Sequence, residues 1–370
     1  MQRYTLAILA SVILAVVTSV AGMARQGART TASAGGPASP STLMGTIRDA
    51  GGKPLNGVAV SARASDQTFT TSVYTDDKGE YVFPTLPRGD YKVWAQAVGF
   101  STARADLTLD GAKAAVQAFT LNPLANFELQ LTGTEWYDSL PDDTADHRRL
   151  KQIVYVSCSD CHSLAVALQN RFDEAGWRAI LTAMESSVFQ GYRGRTDFRD
   201  DELFWQGQIF RHHKDELAKY LAAMRGPRQS PMTLKPLPRP TGDAARVVVT
   251  EYDFPIAERP NELAWFNGSD WSQGPSTGMH GVVGLHDVNV DPAGIAWVSE
   301  SRTTWETDRT LTKLDPRTGE MTAFKLTGAN GNIVRVEQMG FDPSGNLWMH
   351  DAPSVIRLNP VTETFTQFFQ

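Results

Sequence analysis

The stretch TDDKGEYVFPTLPRGDY, residues 75–91, places two turns around one short apolar run. The first turn is DDKG at 76–79, and the second is PRG at 87–89. Asp and Gly suit tight turns because they tolerate positive φ, and apolar runs between such turns are typical of short strands. The stretch therefore predicts antiparallel β-structure.

Similar short runs flank this stretch on both sides. The predicted strands are Leu43–Arg48, Val58–Ala64, Thr70–Thr75, Glu80–Phe83, Asp90–Ala97 and Ala114–Leu121. Strands at this spacing predict an all-β sandwich. With GTI at 45–47, GKPLNGV at 52–58 and the two turns, residues 43–122 resemble the carboxypeptidase-regulatory-like, transthyretin-type domain. The resemblance implies a non-catalytic spacer or contact module.

Length and composition limit what the rest of the chain can be. At roughly 100–200 residues per domain, 370 residues predict two or three domains. The net charge of −6 argues against a nucleic-acid-binding protein, which usually has a basic surplus. Two cysteines exclude a disulfide-rich scaffold, and 41% hydrophobic residues exclude a long disordered chain.

The N-terminus predicts export. Residues 1–24 combine the basic Arg3, an apolar run from Leu6 to Val20 and small residues, which is typical of a secretory signal peptide. An uncleaved membrane anchor is the alternative. Residues 25–42 predict a disordered linker. No later segment is apolar enough to span a membrane, so we expect a periplasmic or secreted protein with no stable membrane span after cleavage.

Residues 145–226 change to a helical period, and we expect an all-α domain over 127–226. Three apolar stripes predict three helices: Leu150, Ile153, Val154 and Ser157; Trp177, Ile180, Leu181 and Met184; Phe210, His213, Leu217, Tyr220, Leu221 and Met224. Gly226-Pro227 predicts the end of the last helix. Four prolines lie within residues 228–243. Residues 227–245 are therefore predicted to form a stiff linker.

Both cysteines of the chain fall in the string CSDCH, residues 158–162. Cys-x-x-Cys-His is the c-type haem attachment motif, in which Cys158 and Cys161 bond the porphyrin covalently and His162 is the proximal iron ligand. A zinc site needs further ligands at close spacing, and none is obvious. A thioredoxin-like pair needs a βαβ context, and a disulfide between residues this close is unusual.

Residues 145–226, with helices on both sides of the motif and LAKYL at 217–221, resemble the small monohaem cytochrome c domain. The resemblance implies one covalent haem c that transfers single electrons. Met184 is the predicted distal iron ligand and His213 the alternative; methionine would raise the potential and histidine would lower it. The expected partner is a redox protein or a small-molecule electron donor or acceptor.

The last part, 246–370, repeats itself. Val290–Trp297 recurs 51 positions later at Phe341–Trp348, and Leu314–Glu320 recurs 44 positions later at Leu358–Thr364. A period of 40–50 residues predicts β-propeller blades, and the pattern resembles the streptogramin-lyase-like (virginiamycin B lyase) family. We expect Val247–Phe254 to be the outer strand of a blade.

The propeller predicted for 246–370 is incomplete. These 125 residues hold about three blades, and closed propellers have at least about four. We therefore expect a truncated propeller in a fragment of a longer protein; the alternative is an open stack completed by another chain.

Three functions remain open for this multidomain chain. The first is electron transfer through haem c, and the second is lyase or haem-linked dehydrogenase activity in the propeller. The third is binding or adhesion with a structural haem. The sequence assigns no catalytic residue: His280, His286, His350, Glu300 and Asp351 are candidates for the propeller channel, but their repeat positions favour a structural role.

Overall fold

The computed structural model describes residues 41–254, 268–275, 285–300, 309–351 and 354–369, apart from residues 112, 160–161, 191–204, 229, 273, 329–330 and 337. For residues 186–190, 205–207, 351 and 369 it describes the backbone alone. These residues belong to two compact units, 41–275 and 285–369, and each is described by itself.

The first unit begins with a β-sandwich. Its strands are β1 Leu43–Asp49, β2 Ala59–Ala64, β3 Phe69–Tyr74, β4 Glu80–Val82, β5 Gly89–Gln96, β6 Ala103–Leu109, β7 Ala115–Val116 and β8 Phe119–Leu121. One sheet has the order β4-β1-β7 with β8 also paired to β1, and the other contains β6-β5-β2-β3. Ile47, Val60, Tyr81, Val93 and Leu121 are among the buried residues of the core between them. The predicted all-β sandwich is confirmed.

The turn at 76–79 shows why this sequence folds in this way. The Asp76 carboxylate accepts hydrogen bonds from the backbone N–H groups of Lys78 and Glu80 at 2.9 and 2.8 Å. Gly79 has a φ of 73°, and a Cβ there would lie 2.5 Å from the carbonyl oxygen of Ile47. The turn therefore needs Asp at its start and Gly at its end.

A strand from far along the chain completes the second sheet. β9, Val249–Tyr252, pairs antiparallel with β3, from Phe69 opposite Tyr252 to Ser72 opposite Val249. The sheet order is therefore β6-β5-β2-β3-β9. The prediction that 247–254 forms the outer strand of a propeller blade is wrong, because its backbone pairs with the exposed edge of β3 instead.

Among the described residues, five α-helices lie between the sandwich and β9. They are α1 Gly133–Ser139, α2 Ala145–Cys158, α3 Leu164–Leu168, α4 Glu174–Gln190 and α5 Trp205–Met224. The three predicted stripes lie on α2, α4 and α5. Thr132 and Glu135 form a reciprocal capping box at the start of α1, which satisfies N–H groups that a helix terminus leaves unpaired. Trp136, Leu168, Trp177 and Leu217 are at the centre of the helical core.

The proline-rich segment packs along this first unit. Met232 and Leu234 contact the helical core. The backbone N–H of Lys235 donates to the Ser139 hydroxyl, and that of Leu237 donates to the Glu135 carboxylate, both at 2.8 Å. The predicted linker is thus a packed strand-like connection.

The second unit contains the two sequence repeats. Its strands are β10 Leu285–Val290, β11 Ala296–Glu300, β12 Leu311–Asp315, β13 Glu320–Phe324, β14 Met339–Phe341, β15 Leu347–Asp351, β16 Ser354–Asn359 and β17 Thr364–Phe369. Each repeat forms one four-stranded antiparallel sheet with its strands in chain order. In each, an Asp caps the turn and accepts a hydrogen bond from a tryptophan Nε1: Asp291 from Trp297 at 3.1 Å, Asp342 from Trp348 at 2.7 Å.

Candidate functional site

Cys158 and His162 lie where α2 gives way to α3. Cys158 is the last residue of α2, and its half-buried side chain packs against the helical core. His162 directly precedes Ser163, the N-cap of α3. Cys161, the second predicted attachment cysteine, lies outside the described residues. The described part of the motif is therefore held between two helices of one core.

The backbone beside His162 favours one form of its ring. Its Nδ1 lies 3.0 Å from the Ser163 carbonyl oxygen. A carbonyl only accepts, so Nδ1 carries the hydrogen and Nε2 keeps the lone pair that a metal needs. A Cβ at Gly133 would lie 2.5 Å from the Ser163 hydroxyl oxygen. Glycine there allows α1 to approach the residue after His162.

Met184 lies on α4. Its side chain is half-buried and packs against the helical core, on the face that also carries Trp177 and Leu181. This placement fits both roles that the sequence leaves open, a sulfur ligand and a core residue.

His213, the alternative distal ligand, lies on α5 with 27% of its side chain exposed. Its Nδ1 is 3.0 Å from a Glu216 carboxylate oxygen. Arg149 of α2 pairs with the same carboxylate. This arginine, with His213 adding a smaller effect, lowers the pKa of Glu216 to about 2. His213 therefore belongs to an ion-pair group that joins α2 and α5.

Several ion pairs also join α4 to α5. Glu185 accepts from Arg211 at 2.9 Å and from Lys214 at 2.7 Å, and these contacts lower the pKa of its carboxyl. Arg178 pairs with Asp215. Most of these groups are partly exposed, so the pairs fix helix register more than they stabilise the fold.

The helical core contains buried polar atoms without a hydrogen-bond partner among the described residues. They are Trp136 Nε1, the Ser157 hydroxyl and the Tyr220 hydroxyl. Burial raises the pKa of Tyr220 to about 12, so its hydroxyl keeps its proton and can donate. Ser157 directly precedes Cys158, whereas the Tyr220 ring lies beside His147, in the first turn of α2. The Cys158 thiol and the His162 imidazole are the groups here that suit a covalently attached porphyrin.

The described residues show no metal-binding group. No cluster of three or more His, Cys, Asp or Glu side chains within them could hold a metal ion. Because Cys161 lies outside that part of the chain, the motif itself is not covered by this finding.

The sequence reasoning missed a buried cation in the helical core. Arg225 is 0% exposed, pairs with Glu128 at 2.9 Å and lies over the Trp136 ring at 4.4 Å. It also donates to the Gln169 carbonyl at 3.2 Å. In the sequence, Arg225 follows an apolar stripe, as basic residues at helix C-termini commonly do, so nothing marks it as buried. The capping box before Trp136 is the one sequence signal for α1, the helix that packs against it.

The propeller candidates do not form a site among the described residues. Glu300 is 0% exposed, and burial raises the pKa of its carboxyl while Arg309, 3.0 Å away, opposes that shift. His286 and His350 are exposed. His280 and the side chain of Asp351 lie outside the described residues. Glu300 is thus part of a buried ion pair.

Comparisons with solved structures find partial matches only. The Bacillus anthracis TIE protein is 20% identical over 23% of this chain and 17% of its own, with a TM-score of 0.21. The minor pilin GBS52 of Streptococcus agalactiae is 17% identical over 24% of this chain and 46% of its own, TM-score 0.22. The 3-chlorocatechol 1,2-dioxygenase of Rhodococcus opacus is 13% identical over 24% of this chain and 61% of its own, with a TM-score of 0.20. The matched segment spans less than two thirds of each of these proteins.

Two further findings are negative. The search of curated proteins finds no match. Within the part of the chain that the structure describes, none of the helices is both long and apolar enough to cross a membrane.

The family comparison agrees with the sandwich. Residues 42–122 match the sequence model of the carboxypeptidase regulatory-like domain. The match begins just before β1 and ends just after β8, so it covers the eight strands described above. This part of the chain is therefore similar to the domain family that its turns and strands predicted.

Proposed function

We propose that the chain is an exported c-type cytochrome that binds one covalent haem and transfers single electrons. The observation that carries the proposal is the CSDCH motif, which uses both cysteines of the chain. The placement of Cys158 at the end of a helix on an apolar core supports it. Residues 1–24 support export to the periplasm or medium, where haem is attached to such motifs.

The residues of the motif have distinct roles in this proposal. Cys158 and Cys161 hold the haem through thioether bonds, and His162 offers Nε2 to the iron. The Ser163 carbonyl, at 3.0 Å from Nδ1, fixes the ring and increases its basicity as a ligand. The bound haem supplies one-electron chemistry, cycling between Fe(II) and Fe(III). The surrounding helices exclude water and thereby tune the potential.

For the distal ligand we propose Met184, with His213 as the alternative. Met184 packs against the helical core, whereas the His213 ring is engaged by Glu216 on a more exposed surface. Replacing the true ligand shifts the midpoint potential strongly, because sulfur and imidazole stabilise the two oxidation states differently. Potentiometry of Met184→Ala and His213→Ala therefore distinguishes them.

Haem attachment itself is the first experiment. The full chain is expressed with its N-terminus in a host that matures c-type cytochromes, and the intact mass is measured. We expect the mass of the processed chain plus one haem, and the alkaline pyridine spectrum of a c-type haem. The variant Cys158→Ala/Cys161→Ala should lose both signals.

The matched control is Ser159→Ala. Ser159 lies within the motif, is exposed and donates only to the Tyr155 carbonyl at 2.7 Å, so attachment should persist. A wild-type mass equal to that of the bare processed chain would reject the electron-transfer proposal.

For the second unit we propose two blades of a streptogramin-lyase-like propeller. Two consecutive four-stranded sheets with equivalent Asp–Trp hydrogen bonds support it.

For the haem region we also propose a partner that exchanges electrons with the haem, either a redox protein or a small-molecule electron donor or acceptor.

A further inference from the structure

The outer face of the five-stranded sheet, on the side away from the sandwich core, is polar and yet buried. Ser61 lies opposite both Ser72 and Trp94 in the ladders of β2 with β3 and β5, and Gln96 lies on the same face. These four residues are at most 8% exposed. The polar face of an antiparallel sheet is ordinarily solvated. Its burial means that other residues cover it.

The covering residues are 269–272. The Ser269 carbonyl accepts hydrogen bonds from Trp94 Nε1, at 3.3 Å, and from Gln96 Nε2. Arg104 donates to the Asp270 carboxylate and, at 2.8 Å, to the Ser272 hydroxyl. The sheet thus holds one backbone carbonyl and one side-chain carboxylate of a segment that forms turns.

β9 provides a second contact on the same sheet. It adds to the β3 edge through backbone pairing, and Asp253 directly after it pairs with Arg63. The Glu251 carboxylate accepts from the Ser269 hydroxyl, so the two contacts touch each other. Strand addition provides affinity through main-chain hydrogen bonds, while side-chain contacts provide specificity.

We propose that this outer face and the neighbouring β3 edge form a binding surface for a chain segment that carries carboxylates, and that β9 and residues 269–272 of the same chain occupy it. The sandwich is then an internal anchor for the polypeptide that leaves the helical region. Gln96 Oε1, buried without a hydrogen-bond partner among the described residues, is a free acceptor for a further donor of the occupant. The proposal does not depend on the haem.

Amide hydrogen exchange on the full-length protein tests this inference. The N–H groups of Ser272 and Gly274 are hydrogen-bonded within the segment at 3.1 and 3.0 Å, so their exchange reports its order. In Arg104→Asp the carboxylate of Asp270 meets a like charge, and we expect exchange in 268–274 to become about tenfold faster or more. Adding Asp270→Arg should restore the slow rate.

Arg88→Asp is the matched control. Arg88 is an exposed residue of the turn at 87–89, and the substitution makes the same change of charge away from the covering residues. If Arg104→Asp fails to fold, Gln96→Ala tests the hydrogen bond to the Ser269 carbonyl instead. Unchanged exchange in Arg104→Asp and Gln96→Ala, or an equal effect of Arg88→Asp, would overturn the proposal. A dimer that forms with rising concentration would overturn the assignment of the occupant to the same chain.

Discussion

The β-sandwich and the helical region differ in how they satisfy the polar atoms of buried aromatic residues. In the sandwich, the Tyr81 hydroxyl donates to the Gln117 carbonyl at 2.6 Å, and the Tyr91 hydroxyl donates to the Pro87 carbonyl at 3.0 Å. In the helical region, Trp136 Nε1 and the Tyr220 hydroxyl are buried without a partner among the described residues. These two sandwich tyrosines are satisfied by their own chain, whereas Trp136 and Tyr220 of the helical core have donors without a partner among the described residues.

This difference bears on function. An unsatisfied buried polar group costs about 1–3 kcal/mol, so a fold retains one where a ligand or a buried water removes the cost. The helical region is also where the CSDCH motif lies. With the haem of the proposed function, we expect the helical region to depend on that group for stability and the sandwich to be independent of it.

The largest predicted effect comes from preventing haem attachment. In Cys158→Ala/Cys161→Ala the core loses a large apolar group, and the loss should be at least the ~3–5 kcal/mol measured for removing one large aromatic side chain. Amide exchange should then accelerate throughout α2, α4 and α5 while the core strands of the sandwich stay protected. Equal protection of the helices in the wild-type protein and the variant would contradict the comparison.

Removing the buried arginine should have the next largest effect. Arg225→Met leaves Glu128 without the partner that, together with Arg171, lowers the pKa of its carboxyl against the opposing effect of burial. Breaking a buried pair costs about 3–5 kcal/mol, and the 24% exposure of Glu128 reduces this to about 2–4 kcal/mol. Denaturant unfolding of the helical region measures it.

Two further variants control that measurement. Glu128→Gln/Arg225→Met removes both charges and should recover part of the loss, since no uncompensated charge remains. Arg228→Met replaces an exposed arginine three residues away and should leave the stability within about 0.5 kcal/mol. A large effect of Arg228→Met would show that any substitution in this segment destabilises the protein, so the loss in Arg225→Met could not be assigned to the buried pair.

Local chemistry decided which parts of the fold the sequence could predict. The turn at 76–79 is specified by Asp76 and Gly79 alone, and the strands on both sides were predicted within one or two residues. β6, Ala103–Leu109, was missed because its alternate positions are charged and small, so it lacks a strong apolar run. β9 was misassigned because its pairing with β3 joins residues some 180 positions apart, which no local period encodes.

The site follows the same rule. Cys158, Cys161 and His162 could be predicted as haem-binding residues because attachment chemistry needs contiguous residues, and that role stays a prediction. Trp136 comes from α1, whereas Tyr220 and Arg225 lie on α5 and directly after it. Only tertiary packing brings their buried polar atoms and charge into one core. The short α1 could have been predicted from Thr132 and Glu135, which have the spacing of a capping box.

A matched pair of tyrosine variants sharpens the comparison. Tyr81→Phe removes the only hydrogen bond of that hydroxyl and leaves the Gln117 carbonyl unpaired, so we expect a loss of about 1 kcal/mol in the sandwich. Tyr220→Phe removes a hydroxyl without a described partner and should be nearly neutral in the haem-free variant. Thermal unfolding measures the stability lost in each case: Tyr81→Phe is compared with the wild-type protein, and Tyr220→Phe in the haem-free variant is compared with that variant. A loss in haem-free Tyr220→Phe as large as that of Tyr81→Phe would contradict it.

The smallest effect concerns acid. Arg149, assisted by His213, lowers the pKa of Glu216 to about 2 in the folded protein, against about 4.3 in an unfolded chain. A lowered folded pKa means that the contact stabilises the fold above pH 4.3 and that this contribution disappears as the pH falls towards 2. Glu216 is 42% exposed, so solvent limits the contribution to below about 1 kcal/mol. Helical circular dichroism of the wild-type protein and Glu216→Gln should differ at pH 6 and converge near pH 2; curves that stay parallel over this interval would mean that the Arg149–Glu216 contact does not join α2 and α5 in solution.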